Sequence, residues 1–167
     1  MPSPKKTNAI KMKMAKSVKP SFSLDLQYAS LALQSQLKEI ASEHQVRNWV
    51  KACFKSGAQI TLRFVNKAEA HDLNLFFRGF DKPTNVLTFA YESDKAVIEA
   101  DIVLCLPILR SEAKVQKKSL QAHLAHLTIH GCLHAIGYDH LKPADAKKME
   151  ALEIKLLHSF GFQNPYL

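Results

Sequence analysis

Hydrophobic and polar residues alternate with two different periods along the chain, and the changes of period mark the predicted elements. The alternation from Leu24 to Ala29 predicts a short strand, and apolar residues at helical spacing predict one helix from Leu33 to Phe54. Further strands are predicted over Gln59–Val65, Asn85–Tyr91 and Ala100–Leu106. Further helices are predicted over Lys67–Phe77, over Pro107–Gln116, from the N-cap Ser119 to Ile136, and over Pro143–Phe160, which Gly161 ends.

The order of these elements favours an α+β fold. Strands and helices are mixed without strict alternation, so we expect one mixed sheet of about four strands covered by about five helices. The chain has 167 residues, of which 47% are hydrophobic. That length and composition support a single domain with its own core.

Positive charge is concentrated before the first predicted strand. The net charge is +8, and the first 24 residues contain six lysines and no acidic residue, so removing these six leaves +2 for the rest. Residues 1–23 are therefore predicted to be a basic, disordered tail, and residues 24–167 a single domain. Such a tail can contact phosphates without any sequence preference.

The apolar segments and the cysteines indicate the compartment. No stretch reaches the roughly 18 apolar residues of a membrane span, so no membrane partner is expected. Cys53, Cys105 and Cys132 form neither an even set nor a CxxC pair, and a reducing cytoplasm is the expected location. Cys132 is predicted to be a buried, apolar residue.

Three histidines near the end of the longest apolar helix carry the most chemical information. His130 and His134 are four residues apart and share a helical face, so both can reach one transition-metal ion. Gly137 can adopt a left-handed conformation and turn the chain so that His140 supplies a third ligand. Three protein ligands with an open fourth position are typical of a catalytic zinc site. Imidazoles also accept nickel, copper or iron.

The spacing leaves several roles open. His126 lies four residues before His130, and His123 lies near the same stripe, so either could be a ligand, a partner of a ligand or an RNA-facing residue. Gly131 stands where zinc proteases of the HExxH type have their glutamate, which argues against that class. Asp101 and Asp139 are the candidate bases, and Asp139 could equally orient a ligand histidine.

The motif His130-Gly131-Cys132-Leu133-His134-Ala135-Ile136-Gly137-Tyr138-Asp139-His140 resembles that of the YbeY family of bacterial metal-dependent endoribonucleases. The segments Ile60–Val65, Leu73–Gly79, Asp81–Phe89 and Ala100–Val103 are similar to the family's upstream blocks, in the same order. The likeness covers roughly Leu24 to Leu167. A motif of this length with ordered upstream blocks is a specific signal, whereas a lone HxxxH would be weak.

The resemblance implies a function that spacing alone does not give. It implies a zinc ion held by His130, His134 and His140, cleavage of single-stranded RNA, and a role in ribosomal RNA 3′-end maturation and ribosome quality control. The expected partners are therefore ribosomal RNA and the small ribosomal subunit, with no DNA. Arg78 matches the family's functional arginine, where a guanidinium can bind a phosphate and offset charge that develops during attack. Arg78, His130 and Asp139 are thus the candidate catalytic residues.

The remaining functional candidates are less distinct. Arg63 is predicted within a strand, where it forms either a structural ion pair or an RNA contact. Phe76, Phe77, Phe80 and Tyr138 could stack on bases, although helical spacing favours the core for Phe76 and Phe77. The segment Glu99-Ala100-Asp101 departs from the family's usual Leu-Gly-Asp, and the connection before it is short.

A second hypothesis belongs to another functional class. The chain could be a ribosome-associated RNA-binding or chaperone module whose metal only stabilises the fold. It predicts RNA binding without metal-dependent cleavage. A metal hydrolase that acts on peptides or small molecules is a third reading, which the missing glutamate weakens.

Overall fold

A computed structural model of the protein describes residues 21–92 and 96–167. Of the predicted basic tail, residues 1–23, the first 20 residues lie outside the described part of the chain. Within the described part, no helix is long and apolar enough to cross a membrane.

The helices and strands follow the predicted order, and most boundaries lie within two residues of the predicted ones. The strands are β1 (Phe22–Tyr28), β2 (Ala58–Val65), β3 (Val86–Tyr91) and β4 (Ile98–Cys105). The helices are α1 (Leu31–Ile40), α2 (Glu43–Ala52), α3 (Lys67–Arg78), α4 (Leu106–Val115), α5 (Leu120–Ala135) and α6 (Pro143–Ser159). The predicted N-cap of α5 is confirmed, because the Ser119 side chain accepts a hydrogen bond from the backbone N–H of Ala122.

The four strands form one mixed sheet, which confirms the predicted α+β class. Their order is β1-β2-β4-β3, with β1, β2 and β4 parallel and β3 antiparallel to β4. Ala100 pairs with Ile60 on one side and Ala90 on the other, so the alanine that departs from the family pattern lies in regular strand.

The two faces of the sheet bury different helices. On one face, side chains of β2 and β4 pack with α1, α2, α5 and α6 in the larger core, which includes Leu62, Phe64, Ile102 and Leu104. On the other face, Val65, Leu87 and Val103 pack with α3 and one side of α4. Helix α5 lies in the larger core and brings the histidine motif against the sheet.

The single helix predicted from Leu33 to Phe54 is wrong, and the segment forms two helices instead. Ala41 has an extended backbone, and Ser42 starts α2 with a capping box. Its hydroxyl accepts the N–H of Gln45, and the Gln45 side chain accepts the N–H of Ser42. These two reciprocal hydrogen bonds satisfy backbone N–H groups at the start of α2, which a continuous helix would satisfy with its own carbonyls. They therefore stabilise a break between α1 and α2. The sheet is therefore covered by six helices rather than about five.

Helix α5 approaches the sheet most closely at Gly131. A Cβ atom there would lie 2.7 Å from Ile102 Cγ2 and 3.3 Å from both Thr88 Oγ1 and Val86 Cγ2. The Thr88 hydroxyl donates a 3.1 Å hydrogen bond to the Gly131 carbonyl across this contact. A glutamate of the zinc-protease motif has no room at this position, which gives the departure from HExxH a structural cause.

We expect Gly131→Ala to destabilise the fold by about 1 to 3 kcal/mol, because its methyl group overlaps the buried Ile102 side chain. Helix propensity alone predicts the opposite sign, by about 1 kcal/mol. Urea unfolding of the wild type, Gly131→Ala, Ile102→Ala and the double variant measures both effects. The double variant should be more stable than the sum of the single changes predicts. A Gly131→Ala protein at least as stable as the wild type would contradict the close packing.

Candidate metal centre

The three predicted ligands converge at the end of α5. His130 Nε2 and His134 Nε2 are 3.1 Å apart, as expected for residues one helical turn apart on one face. The His140 ring lies 5.4 Å from that of His130 and 5.0 Å from that of His134, measured between centroids. One ring nitrogen from each histidine falls within 4.8 Å of the others, so the group could hold a metal ion.

The turn that returns His140 to the helix is closed by Gly137. Its φ of 94° is left-handed, as predicted. The N–H of Tyr138 bonds to the carbonyl of Leu133, and the N–H of Gly137 bonds to that of His134, which is the Schellman arrangement of helix ends. Asp139 Oδ1 accepts a 2.6 Å hydrogen bond from the N–H of His140 and holds the returning segment.

The donor set fits a metal such as zinc. Two imidazole nitrogens that bind one tetrahedral ion at about 2.0 to 2.1 Å lie about 3.3 Å apart, close to the 3.1 Å between His130 and His134. Burial lowers the pKa of His134, and the neighbouring His130 and His140 lower it further. His134 therefore favours the neutral form, which is the form that binds metals.

The histidines line a cavity of about 730 Å³ that also contains Arg78. Arg78 is the exposed last residue of α3, and Gly79 follows it with a left-handed φ of 73°. Asp139 lines the same cavity, so the three candidate catalytic residues lie around one space. Asp101 does not line it: its carboxylate accepts a 2.6 Å hydrogen bond from the Tyr91 hydroxyl at a different cavity.

The other two histidines of α5 point to different partners. His123 is buried, and its Nε2 lies 2.8 Å from Glu112 Oε2. His126 Nε2 lies 3.4 Å from Glu153 Oε2. His126 could join His130 and Glu153 in a second metal-binding group, but it does not belong to the group with His134 and His140.

Two side chains that the sequence analysis did not identify complete the surroundings of His130. Glu153 Oε1 lies 2.5 Å from His130 Nδ1, and the Tyr166 hydroxyl donates to Glu153 Oε2. Burial alone raises the pKa of Glu153, but the hydrogen bonds from His126, His130 and Tyr166 outweigh it and lower the pKa to about 2. Burial and the Glu153 carboxylate together raise the pKa of Tyr166, which keeps its hydroxyl protonated.

The sequence does contain a signal for Glu153. It lies four residues after Met149 and four before Leu157, and all three are the buried residues of α6. A carboxylate within an apolar helical stripe needs a partner inside the protein. Tyr166 gives no comparable signal, because it follows α6 in a segment without periodicity.

The chain matches a known protein family over most of its length. The family model described as Endoribonuclease YbeY matches residues 25–161. The chain belongs to the YbeY endoribonuclease family. The resemblance found in the histidine motif is thus confirmed.

Individual YbeY relatives agree over most of their length. The chain is 51% identical over 144 residues to the endoribonuclease YbeY of Polynucleobacter asymbioticus, covering 86% of this chain and 93% of that protein. It is 50% identical to the YbeY protein of a Janthinobacterium species, covering 89% and 97%. The solution structure of TM1509 from Thermotoga maritima is similar in fold, with a TM-score of 0.55 and 27% identity over 81% of this chain and 87% of that one.

The structure also bears on the predictions for Arg63 and for the two phenylalanines of α3. Arg63 Nε bonds to Glu69 Oε1 at 2.6 Å, which favours its structural reading. The core placement of Phe76 and Phe77 is wrong, since they are 82% and 55% exposed. Helix α3 instead turns Ala70, Leu73 and Asn74 inward, and Phe77 only covers Phe89 from outside.

We expect the chain to bind one transition-metal ion per molecule, with zinc as the probe, and His134→Ala to lose it, because the remaining two imidazoles do not complete a site. His44→Ala is the matched control, since His44 is an exposed histidine on α2 that contacts Asn48. Metal content after gel filtration measures both. Equal zinc in the wild type and His134→Ala would contradict the assignment of the ligands.

Proposed function

We propose that this chain is a metal-dependent endoribonuclease that cleaves single-stranded RNA in the cavity of the three histidines. The observation that carries the proposal is the convergence of His130, His134 and His140 on one space that also contains Arg78. Neutral nitrogen donors and a cation around one open cavity suit an anionic phosphodiester better than a neutral substrate. The relatives from Polynucleobacter asymbioticus and Janthinobacterium, which are named endoribonucleases, support the same reaction class.

His130, His134 and His140 are the proposed ligands. An ion bound there would polarise the scissile phosphate and make a nucleophile available at neutral pH. Zinc is the proposed metal because a site of three imidazoles is one that catalytic zinc commonly uses. The three histidines contribute no negative charge, so they do not repel a phosphate.

Arg78, which lines the same cavity, is proposed to bind the phosphate. Its planar guanidinium can donate two parallel hydrogen bonds to phosphate oxygens and offset the charge that grows on them during attack. Among the described residues, no ion pair of Arg78 competes with this use. For Asp139, the hydrogen bond to the His140 backbone supports a positioning role rather than that of a base.

Exposed aromatic residues at the cavity support a preference for unpaired RNA. Phe80 and Tyr138 line the cavity with Arg78, and Phe80 is 57% exposed. Aromatic rings of this kind stack on bases without sequence preference, and bases in a duplex are not open to such stacking. Phe80 and Tyr138 are thus the proposed stacking residues of the site.

The cellular part of the proposal is maturation of ribosomal RNA 3′ ends and ribosome quality control on the small subunit, in the cytoplasm. It rests on the family resemblance and on the basic net charge of +8, which favours binding to RNA. Three unpaired, buried cysteines in the described residues suit a reducing compartment.

Cleavage of a fluorescent single-stranded RNA tests the proposal, with zinc content measured on the same samples. We expect the wild type to cut, His134→Ala to lose metal and cutting together, and Arg78→Ala to keep metal while kcat falls about 10² to 10³-fold. Arg110→Ala is the control, because it removes an exposed arginine of α4 that does not line the cavity. Duplex RNA and single-stranded DNA of the same sequence should be cut poorly.

Two outcomes would contradict the proposal. Equal cutting by the wild type and both site variants would show a contaminating nuclease. Absence of cutting despite one metal per chain would favour the alternative, a ribosome-associated module in which the metal only stabilises the fold.

A further inference from the structure

Glu153 is the one acidic side chain among the described residues that is fully buried, with 0% exposure. It lies in the middle of α6, on the face that packs on α5, between the buried Met149 and Leu157. A carboxylate in such a place persists only where hydrogen bonds replace its water. Both of its oxygens meet that requirement inside the protein.

The first oxygen decides how His130 is protonated. Glu153 Oε1 lies 2.5 Å from His130 Nδ1, so Nδ1 carries the proton and its N–H donates a hydrogen bond to the carboxylate. The other ring nitrogen, Nε2, is then left with its lone pair, and it lies 3.1 Å from His134 Nε2. The contact thus selects the tautomer that presents Nε2 to the ligand group.

The second oxygen is held by the segment that follows α6. Gly161 has a left-handed φ of 82°, and the chain after it returns along α5. The Tyr166 hydroxyl donates to Glu153 Oε2, and its ring meets the His126 ring edge-on at 5.5 Å. Lys118 Nζ bonds to the Pro165 carbonyl and fixes the segment next to Tyr166.

We infer that Glu153 is a positioning residue for the metal ligand His130, and that Tyr166 holds the Glu153 carboxylate in place. The inference rests on the proposed metal site and extends it from the ligands to a chain of three side chains, Tyr166, Glu153 and His130. The negative charge next to Nδ1 makes the imidazole a stronger donor at Nε2 and offsets part of the charge of a bound cation.

The same atoms could also be read as a second metal site, formed by His126, His130 and Glu153. The distances favour the hydrogen bond. Two ligand atoms on one tetrahedral ion lie about 3.3 Å apart, whereas His130 Nδ1 and Glu153 Oε1 are 2.5 Å apart and leave room only for a proton. Tyr166 also occupies the second oxygen as a neutral donor.

Competition with a chromophoric zinc chelator tests the role through metal affinity. We expect Glu153→Gln to weaken zinc binding about 10- to 100-fold, since the shape is kept while the charge next to His130 is lost. Tyr166→Phe, which removes only a hydroxyl, should weaken it less. Asp145→Asn is the control, because it removes a carboxylate from the same helix that pairs with Lys148 at 3.9 Å, and it should leave affinity unchanged.

Histidine-ring ¹⁵N NMR of the metal-free protein gives a second readout that does not depend on the variants folding or on activity. The wild type should show His130 with its proton on Nδ1, and Glu153→Gln should move that proton signal. A wild-type His130 protonated on Nε2 would overturn the inference even if Glu153→Gln does not fold.

The metal measurements separate this inference from the proposed function. Zinc binding that is the same in the wild type, Glu153→Gln and Tyr166→Phe would overturn the positioning role while leaving the three-histidine site intact. Two zinc ions in the wild type and one in Glu153→Gln would show that Glu153 is a ligand instead. A wild type that binds no zinc, with His130 still protonated on Nδ1, would reject the proposed metal site but keep the hydrogen-bonded chain.

Discussion

The site depends on how each histidine of α5 finds a partner while most of the helix is buried. Leu124, Ile129 and Leu133 are fully enclosed, and Gly131 allows the helix to lie directly on β3 and β4. A helix in that position has little water along its length, so every imidazole on it needs a partner within the protein or a ligand. His126, His130 and His134 form one stripe at spacings of four, and the rest of the site is built along that stripe.

Each element next to α5 contributes one residue to the site. The turn at Gly137 returns His140 to the open end of the stripe, and α6 places Glu153 at its middle. Helix α3 ends at Arg78, which lines the same cavity as the histidines. At one end of the stripe, His126 and His130 are hydrogen-bonded to Glu153. At the other end, His134 faces the cavity. The ligands are therefore held rigidly on one side and accessible on the other, as a reactive site requires.

Local patterns in the sequence predicted most of this arrangement. The cap at Ser119 and the turn at Gly137 depend on residues close together in the chain, and the mixed sheet was predicted from the order of the elements; all three are confirmed. The split between α1 and α2 was also encoded locally, in the Ser42–Gln45 capping box, but the continuous apolar spacing around it concealed the signal. The exposure of Phe76 and Phe77 and the contact of Tyr166 with Glu153 are set by packing between distant segments, which periodicity does not report. The convergence of Arg78 on the histidines belongs to the same class, and the family resemblance, not the spacing, indicated it.

The most direct test of the account is a crystal structure of the zinc-loaded protein with anomalous data collected on both sides of the zinc absorption edge. The account predicts a single anomalous peak bonded to His130 Nε2, His134 and His140, with Glu153 still hydrogen-bonded to His130 Nδ1 and Arg78 in the same cavity. A peak bonded to Glu153 and His126, or no peak at the three histidines, would contradict it.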